Sequence, residues 1–312
     1  MYADNRYQRK RVESLAIYKH MMYEVKNHRR EKRSECEVEQ MPIRYIELEY
    51  PIDPQSRYGF GKPPHQKLYE IIDRGRERYK QFMLEFYTYK DDFKRISALP
   101  GEDTESAEPY WLNQWLSGLD AVAIYSLLCM NNPKTYLEVG SGNSTRFAAR
   151  AARDHKLRTK IVSIDPNPRS EVDRICGEII RQPVENVDLS IFDTLEAGDV
   201  LFIDNSHRSF TNSDATVVFI DVLPRLKPGV FVEFHDIFLP YDYPPQWYWR
   251  FFSEQYLLAC YLLAEGSRLE IILPNAFVVF DGELGDTVFP LLDSIGQGPA
   301  YRAGGSFWLR TC

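Results

Sequence analysis

Four stretches of this 312-residue chain carry side chains that can do chemistry. The first runs from Glu138 to Thr145, Glu-Val-Gly-Ser-Gly-Asn-Ser-Thr, where Gly140 and Gly142 permit a tight turn and a close approach of a ligand to the backbone. If a helix opens there, its first turn offers N–H groups and a positive dipole end, which adds Ser141, Asn143 and Ser144 to the candidate binding loop. The second is Asp165, 23 residues past Gly142, a carboxylate that could accept both hydroxyls of a ribose. The third and fourth are Asp204-Asn-Ser-His207 and His235-Asp236. Asp204, His235 and Asp236 are hard or borderline donors able to hold a divalent ion, Mg²⁺ being the expected one. Such an ion would bind a hydroxyl, lower its pKa and fix its position. Asp204, His207 and His235 also fit the two-histidine, one-carboxylate pattern of iron–oxygen chemistry, which stays open as an alternative. A single Asp after a strand is more often a cap, and a single His more often a satisfied structural residue. Four such groups at two strand ends argue for a site.

These groups are useful only if the chain brings them to one place. After Asn132 short β-rich runs alternate with helical ones: 135–140, 160–165, 179–184, 199–204, 230–235, 269–273 and 306–310 as strands, with 143–154, 211–223 and 247–264 as helices. Near-continuous apolar strands joined by crossover helices predict an α/β fold, a Rossmann-like doubly wound sheet, mostly parallel with an antiparallel last strand. Ligands in such sheets bind beyond the carboxyl ends of the strands, where all four stretches fall. The third glycine of a dinucleotide fingerprint is replaced by Thr145, which counts against NAD. Glu138 would repel a pyrophosphate but suits a cationic ligand, such as the amino group and sulfonium of S-adenosylmethionine.

Tyr-Leu-Glu-Val-Gly-Ser-Gly-Asn-Ser-Thr-Arg-Phe-Ala-Ala-Arg-Ala, Ile-Val-Ser-Ile-Asp-Pro-Asn-Pro, Asp-Val-Leu-Phe-Ile-Asp-Asn-Ser-His and Phe-Val-Glu-Phe-His-Asp-Ile together resemble the class I S-adenosylmethionine-dependent methyltransferases. The branch labelled methyltransferase domain 24 is the most similar, with its metal-dependent catechol and macrolide-sugar O-methyltransferases. The resemblance spans about residues 133–240. It implies that Glu138, Gly140, Ser141, Gly142, Asn143, Ser144, Asp165 and Asp204 hold S-adenosylmethionine. It implies Asp204 and Asp236 as metal ligands and Asp204 with His207 as catalytic, His207 being the general base. His235 departs from the pattern, since relatives often carry another acid there.

The segment after Asp236 bears Tyr241, Tyr243 and Trp247 on a proline-stiffened loop, an aromatic wall suited to a planar phenol or a sugar face. Arg57 and His65, in a Pro- and Gly-rich loop, could fold over the same mouth. The expected activity is therefore O-methylation of a small-molecule or glycan acceptor. A net charge of −7 argues against nucleic acid as partner. However, residues 1–33 hold ten Lys/Arg against four Asp/Glu, which keeps an RNA methyltransferase as a competing reading. The same basic helix, expected over 6–33, could instead pack on its own domain or on a second subunit, giving a homo-oligomer. Helical patterns at 68–96 and 111–131 precede the sheet. Residues 1–105 are set apart as an N-terminal helical and loop extension, a lid or dimerisation element, and 106–312 as the methyltransferase domain. Five scattered cysteines without a CxxC pair, no apolar leader and no membrane-length apolar run suggest a cytoplasmic protein.

Overall fold

A computed structural model describes residues 46, 49–50, 52–101, 106–168, 171–266, 268–295 and 301–312. The basic segment 6–33 lies outside the described residues. Contacts divide the chain into two compact units, Met1–Gln55 and Ser56–Cys312. Among the described residues the second holds seven strands: β1 Thr135–Val139, β2 Lys160–Ile164, β3 Glu178–Ile180, β4 Val200–Ile203, β5 Phe231–Phe234, β6 Leu269–Pro274 and β7 Phe307–Thr311. They form one sheet in the order β3-β2-β1-β4-β5-β7-β6. The first five pair in parallel, and β7 enters antiparallel between β5 and β6. This is the expected Rossmann-like sheet with a reversed last strand.

β4 and β5 are buried along their whole length and β1 along all but its first residue, as a sheet covered on both faces requires. Two acids interrupt their apolar runs. Glu138 and Glu233 flank Phe202 in register across the middle of the sheet. Burial pushes the Glu233 carboxyl well above its usual range.

The helix Asn143–Asp154 buries Phe147, Ala148 and Ala151 on the sheet side and turns Arg150 and Arg153 outward to Glu108. Helix Gly118–Asn131, nearly all buried, packs beside it and ends at Asn132 in a left-handed conformation. That helix begins seven residues later than the expected 111, at Gly118. The cause is local: Asn113 Oδ1 accepts the N–H groups of Trp115 and Leu116, and Gln114 is left-handed. The patterns at 68–96 and 247–264 are likewise divided, at Gly75 and at left-handed Phe251. The third strand is shorter than expected because Pro183 lacks a donor and a turn follows over Val184–Asn186. Helices Gln66–Asp73 and Arg76–Phe86, in the segment that composition set apart, belong to the Ser56–Cys312 unit. Among the described residues, no helix is long and apolar enough to cross a membrane.

Candidate active site

The sheet's order reverses at β1, which lies between β2 and β4, so a crevice is expected beyond the carboxyl ends of these strands. β1 runs into Gly140, whose φ of 83° is left-handed. A Cβ at this position would stand 1.9 Å from the Asp204 carbonyl oxygen, so only glycine lets the loop lie against the tip of β4. Gly142 is different. Its backbone is extended, and a Cβ there would meet nothing within 4 Å, the open space a ligand approaching the backbone needs. The Ser141 N–H donates to Asp165 Oδ2 at 2.7 Å, and the Asn167 N–H donates to Oδ1 at 2.8 Å. Asp165 thus ties the loop to the tip of β2 while keeping lone pairs for other hydroxyl donors. Ser141 and Ser163 share a 2.7 Å hydroxyl contact, and Asn143 donates to Asn113 at 3.2 Å.

Glu138 is wholly buried. Its carboxylate accepts from the hydroxyls of Tyr136 and Thr145, and Thr145 in turn accepts from the Gly142 N–H. Burial pushes the acid up to about 7, against the pull of hydroxyls on Ser144, Thr145 and Tyr136. Glu138 therefore acts from beneath the loop and splints it.

β4 and β5 are adjacent, and their tips converge as expected. His207 Nε2 lies 3.2 Å from Asp204 Oδ1 and 3.5 Å from Asp236 Oδ2. His235 Nδ1 lies 3.6 Å from Asp204 Oδ1 and 3.6 Å from Asp236 Oδ1. Both imidazoles are buried, whereas Asp204 keeps 30% of its side-chain exposure. His207 and Asp236 are left-handed, a conformation seldom adopted outside glycine and one that gathers at functional sites. Each imidazole also has a buried carboxylate behind it. Glu254 Oε2 sits 3.0 Å from His207 Nδ1, and Asp120 Oδ2 lies 3.5 Å from His235 Nε2.

The cluster sets its own protonation. Burial would raise the Asp204 pKa, but His235 and His207 hold it well below the ordinary carboxylate range. Burial would lower the His207 pKa, yet hydrogen bonds to Asp204 and Glu254 and the charge of Asp236 raise it to about 10. A value near 6.5, expected of an unperturbed imidazole, does not apply to a ring facing three carboxylates. As placed, among the described residues, no group of three or more His, Cys, Asp or Glu is ready-formed to hold a metal. One feature of the cluster nonetheless suits an ion: both ring nitrogens of His235 are buried without a hydrogen-bond partner.

Of the three expected pocket aromatics, Tyr243 and Trp247 are brought near these groups. Both pack on Phe252, with ring centroids 5.8 and 5.9 Å away, and Phe252 lies 4.7 Å from the His207 ring. Tyr243 is 3% exposed and its hydroxyl accepts from the Gln255 N–H, a packing role. Tyr241 sits edge-on to Phe280 and lies against Gly59. The loop bearing Arg57 and His65 does meet this segment. The N–H groups of Arg57 and Tyr58 donate to Asp242, and Ser56 bonds the Tyr248 hydroxyl at 2.7 Å. His65 itself caps helix Gln66–Asp73. Asp120, Glu254, Asn113 and Phe252 were not picked out in the sequence. A buried acid inside an apolar helix is the signal Asp120 offered; the others carried none.

Residues 137–237, from β1 to just past β5, match a family described as a methyltransferase domain. A curated protein of Archaeoglobus fulgidus, itself uncharacterized, is 32% identical over 104 residues, which cover 31% of this chain and 45% of the relative. The chain thus spans less than half the length of the curated relative it matches. A solved methyltransferase of Podospora anserina bound to S-adenosylhomocysteine is similar at 18% identity and a TM-score of 0.39, covering 78% of this chain and 96% of that one. An O-methyltransferase of Bacillus cereus in complex with the same compound shows 14% identity and a TM-score of 0.38, covering 79% and 98%.

Proposed function

We propose, from a chain whose residues 137–237 match a methyltransferase domain, that the protein moves a methyl group from S-adenosylmethionine to a hydroxyl of a small molecule or sugar unit, assisted by a divalent ion. The observation that carries this reading is the contact of the Gly140 turn with Asp204, which sets a cofactor loop against the acid–histidine cluster. S-adenosylmethionine supplies an activated methyl on a cationic sulfur. The Asp165 carboxylate would accept the ribose hydroxyls, and the open face at Gly142 would admit the amino-acid end to the helix's first turn. Glu138 would contribute negative charge under that cationic end.

Asp204 and Asp236, with His235, would hold the ion, whose charge would favour the ionised acceptor hydroxyl. His207 Nε2 would take the hydroxyl proton while Glu254, 3.0 Å from Nδ1, holds the ring in place. The carboxylates keep a proton on His207, and that proton must leave before Nε2 can accept another. A cation among the same acids would help expel it. Trp247 and Phe252 would offer the acceptor an apolar wall.

A thermal-shift series with S-adenosylhomocysteine, with and without Mg²⁺ or Mn²⁺, tests the reading. The ligand should raise stability by about 2.7 kcal/mol at a hundredfold excess over Kd. His207→Ala should keep that gain while turnover falls by roughly 10²- to 10⁴-fold. No shift with the ligand, under any ion condition, would remove the methyl donor from this account.

A further inference from the structure

Helix Asn143–Asp154 carries three arginines, and they are not alike. Arg150 pairs with Glu108 and Asp154, and Arg153 pairs with Glu108. Arg146 is only 8% exposed, yet among the described residues no carboxylate pairs with it. Its Nε is buried without a hydrogen-bond partner. Arginine is almost never buried unless paired, because an uncompensated charge is costly to take out of water.

The position of Arg146 indicates what would complete it. It is the fourth residue of the helix, three beyond Asn143, so the two share a face. Helical side chains lean toward the N-terminus, which carries Arg146 back over the first turn, beside the open backbone at Gly142. That turn is roofed by the segment before helix Gly118–Asn131. Asn143 donates to Asn113 at 3.2 Å, and Trp111 packs on Phe147 with ring centroids 5.1 Å apart. A helix's first turn already favours negative charge through its free N–H groups and dipole. A guanidinium beside it, screened from water, selects a planar anion able to take two N–H donors at once.

We infer that Arg146 is the counter-ion for the carboxylate of S-adenosylmethionine, which it takes at the first turn of this helix. The inference rests on the methyl-donor reading above and deepens it. That reading gave the cofactor's amino-acid end an acid, Glu138, and no cation for its carboxylate.

The test titrates the full chain calorimetrically with S-adenosylhomocysteine and with its decarboxylated analogue, which keeps the amine and lacks only the carboxylate. The parent should prefer S-adenosylhomocysteine. Arg146→Met should cut that preference by about 30-fold or more, through weaker S-adenosylhomocysteine binding. The ligand-free Arg146→Met protein should melt at or above the parent's temperature, because the substitution removes an unpaired buried charge. Arg146→Lys keeps the charge without the two-pronged fork and should cut the preference by about tenfold. If Arg146→Met does not fold, Arg146→Lys decides. A lower melt with the preference kept would assign Arg146 to the scaffold. That result, or both ligands weakened equally, overturns the inference and leaves the methyl-donor reading standing. Failure of the parent to bind either ligand overturns both.

Discussion

At the scale of single residues, the two glycines of the loop do different work. Gly140 is held left-handed against the Asp204 carbonyl, so Gly140→Ala adds strain to a backbone clash. It should cost about 3 kcal/mol or more in denaturant melts. Gly142→Ala should leave the melt within about 1 kcal/mol of the parent yet weaken S-adenosylhomocysteine binding, since its Cβ enters open space. Equal destabilisation by the two substitutions would contradict this division. Glu138 carries a pH signature. Its pKa rises from 4.5 to about 7 on folding, so the stabilising proton uptake is complete below 4.5 and is lost as pH climbs to 7. Between pH 5 and pH 8 the ligand-free protein should therefore lose on the order of 3 kcal/mol relative to Glu138→Gln, whose side chain does not titrate. Parallel stability curves for the two proteins would show that Glu138 ionises normally.

At the scale of elements, the loop from Ser56 to His65 is fastened to the segment after β5 chiefly through Asp242. This one carboxylate collects the N–H groups of Arg57 and Tyr58 at 2.5 and 2.7 Å. Hydrogen bonds to a charged group are worth about 1.5–3 kcal/mol each, enough to decide whether a short loop stays docked. Asp242→Ala should raise hydrogen exchange across residues 57–62 and increase the KM for the acceptor more than that for S-adenosylmethionine. Unchanged exchange in that loop would show that other contacts hold it. The backbone reversals at His207, Asp236 and Phe251 belong to the same level, since they aim Nε2, the Asp236 carboxylate and the Phe252 ring at one point.

At the scale of the whole molecule, β7 is the strand on which the site's far side depends. It fills the gap between β5 and β6, and the backbone just before it supplies the Gly305 and Ser306 N–H groups that pin Asp120. Removing residues 306–312 should give a chain without cooperative unfolding by near-ultraviolet circular dichroism, rather than a trimmed protein with normal melting. The sequence by itself determined the sheet, the Gly140–Gly142 loop and the strand-end groups Asp165, Asp204, His207, His235 and Asp236. Apolar runs with period-specific spacing and glycine turns are local signals, and they survive in one dimension. It misjudged helix starts such as 111, where a single Asn side chain competes with the backbone, and it treated Tyr241, Tyr243 and Trp247 alike. Only the tertiary structure decided that Tyr243 and Trp247 both pack on Phe252 beside His207 while Tyr241 sits against Phe280. It alone joined Asp120 to His235, 115 positions apart, and turned His207 from an ordinary imidazole into one held charged by three acids. Burial and charge at a point are sums over everything the fold brings there, and no short stretch of chain contains that sum.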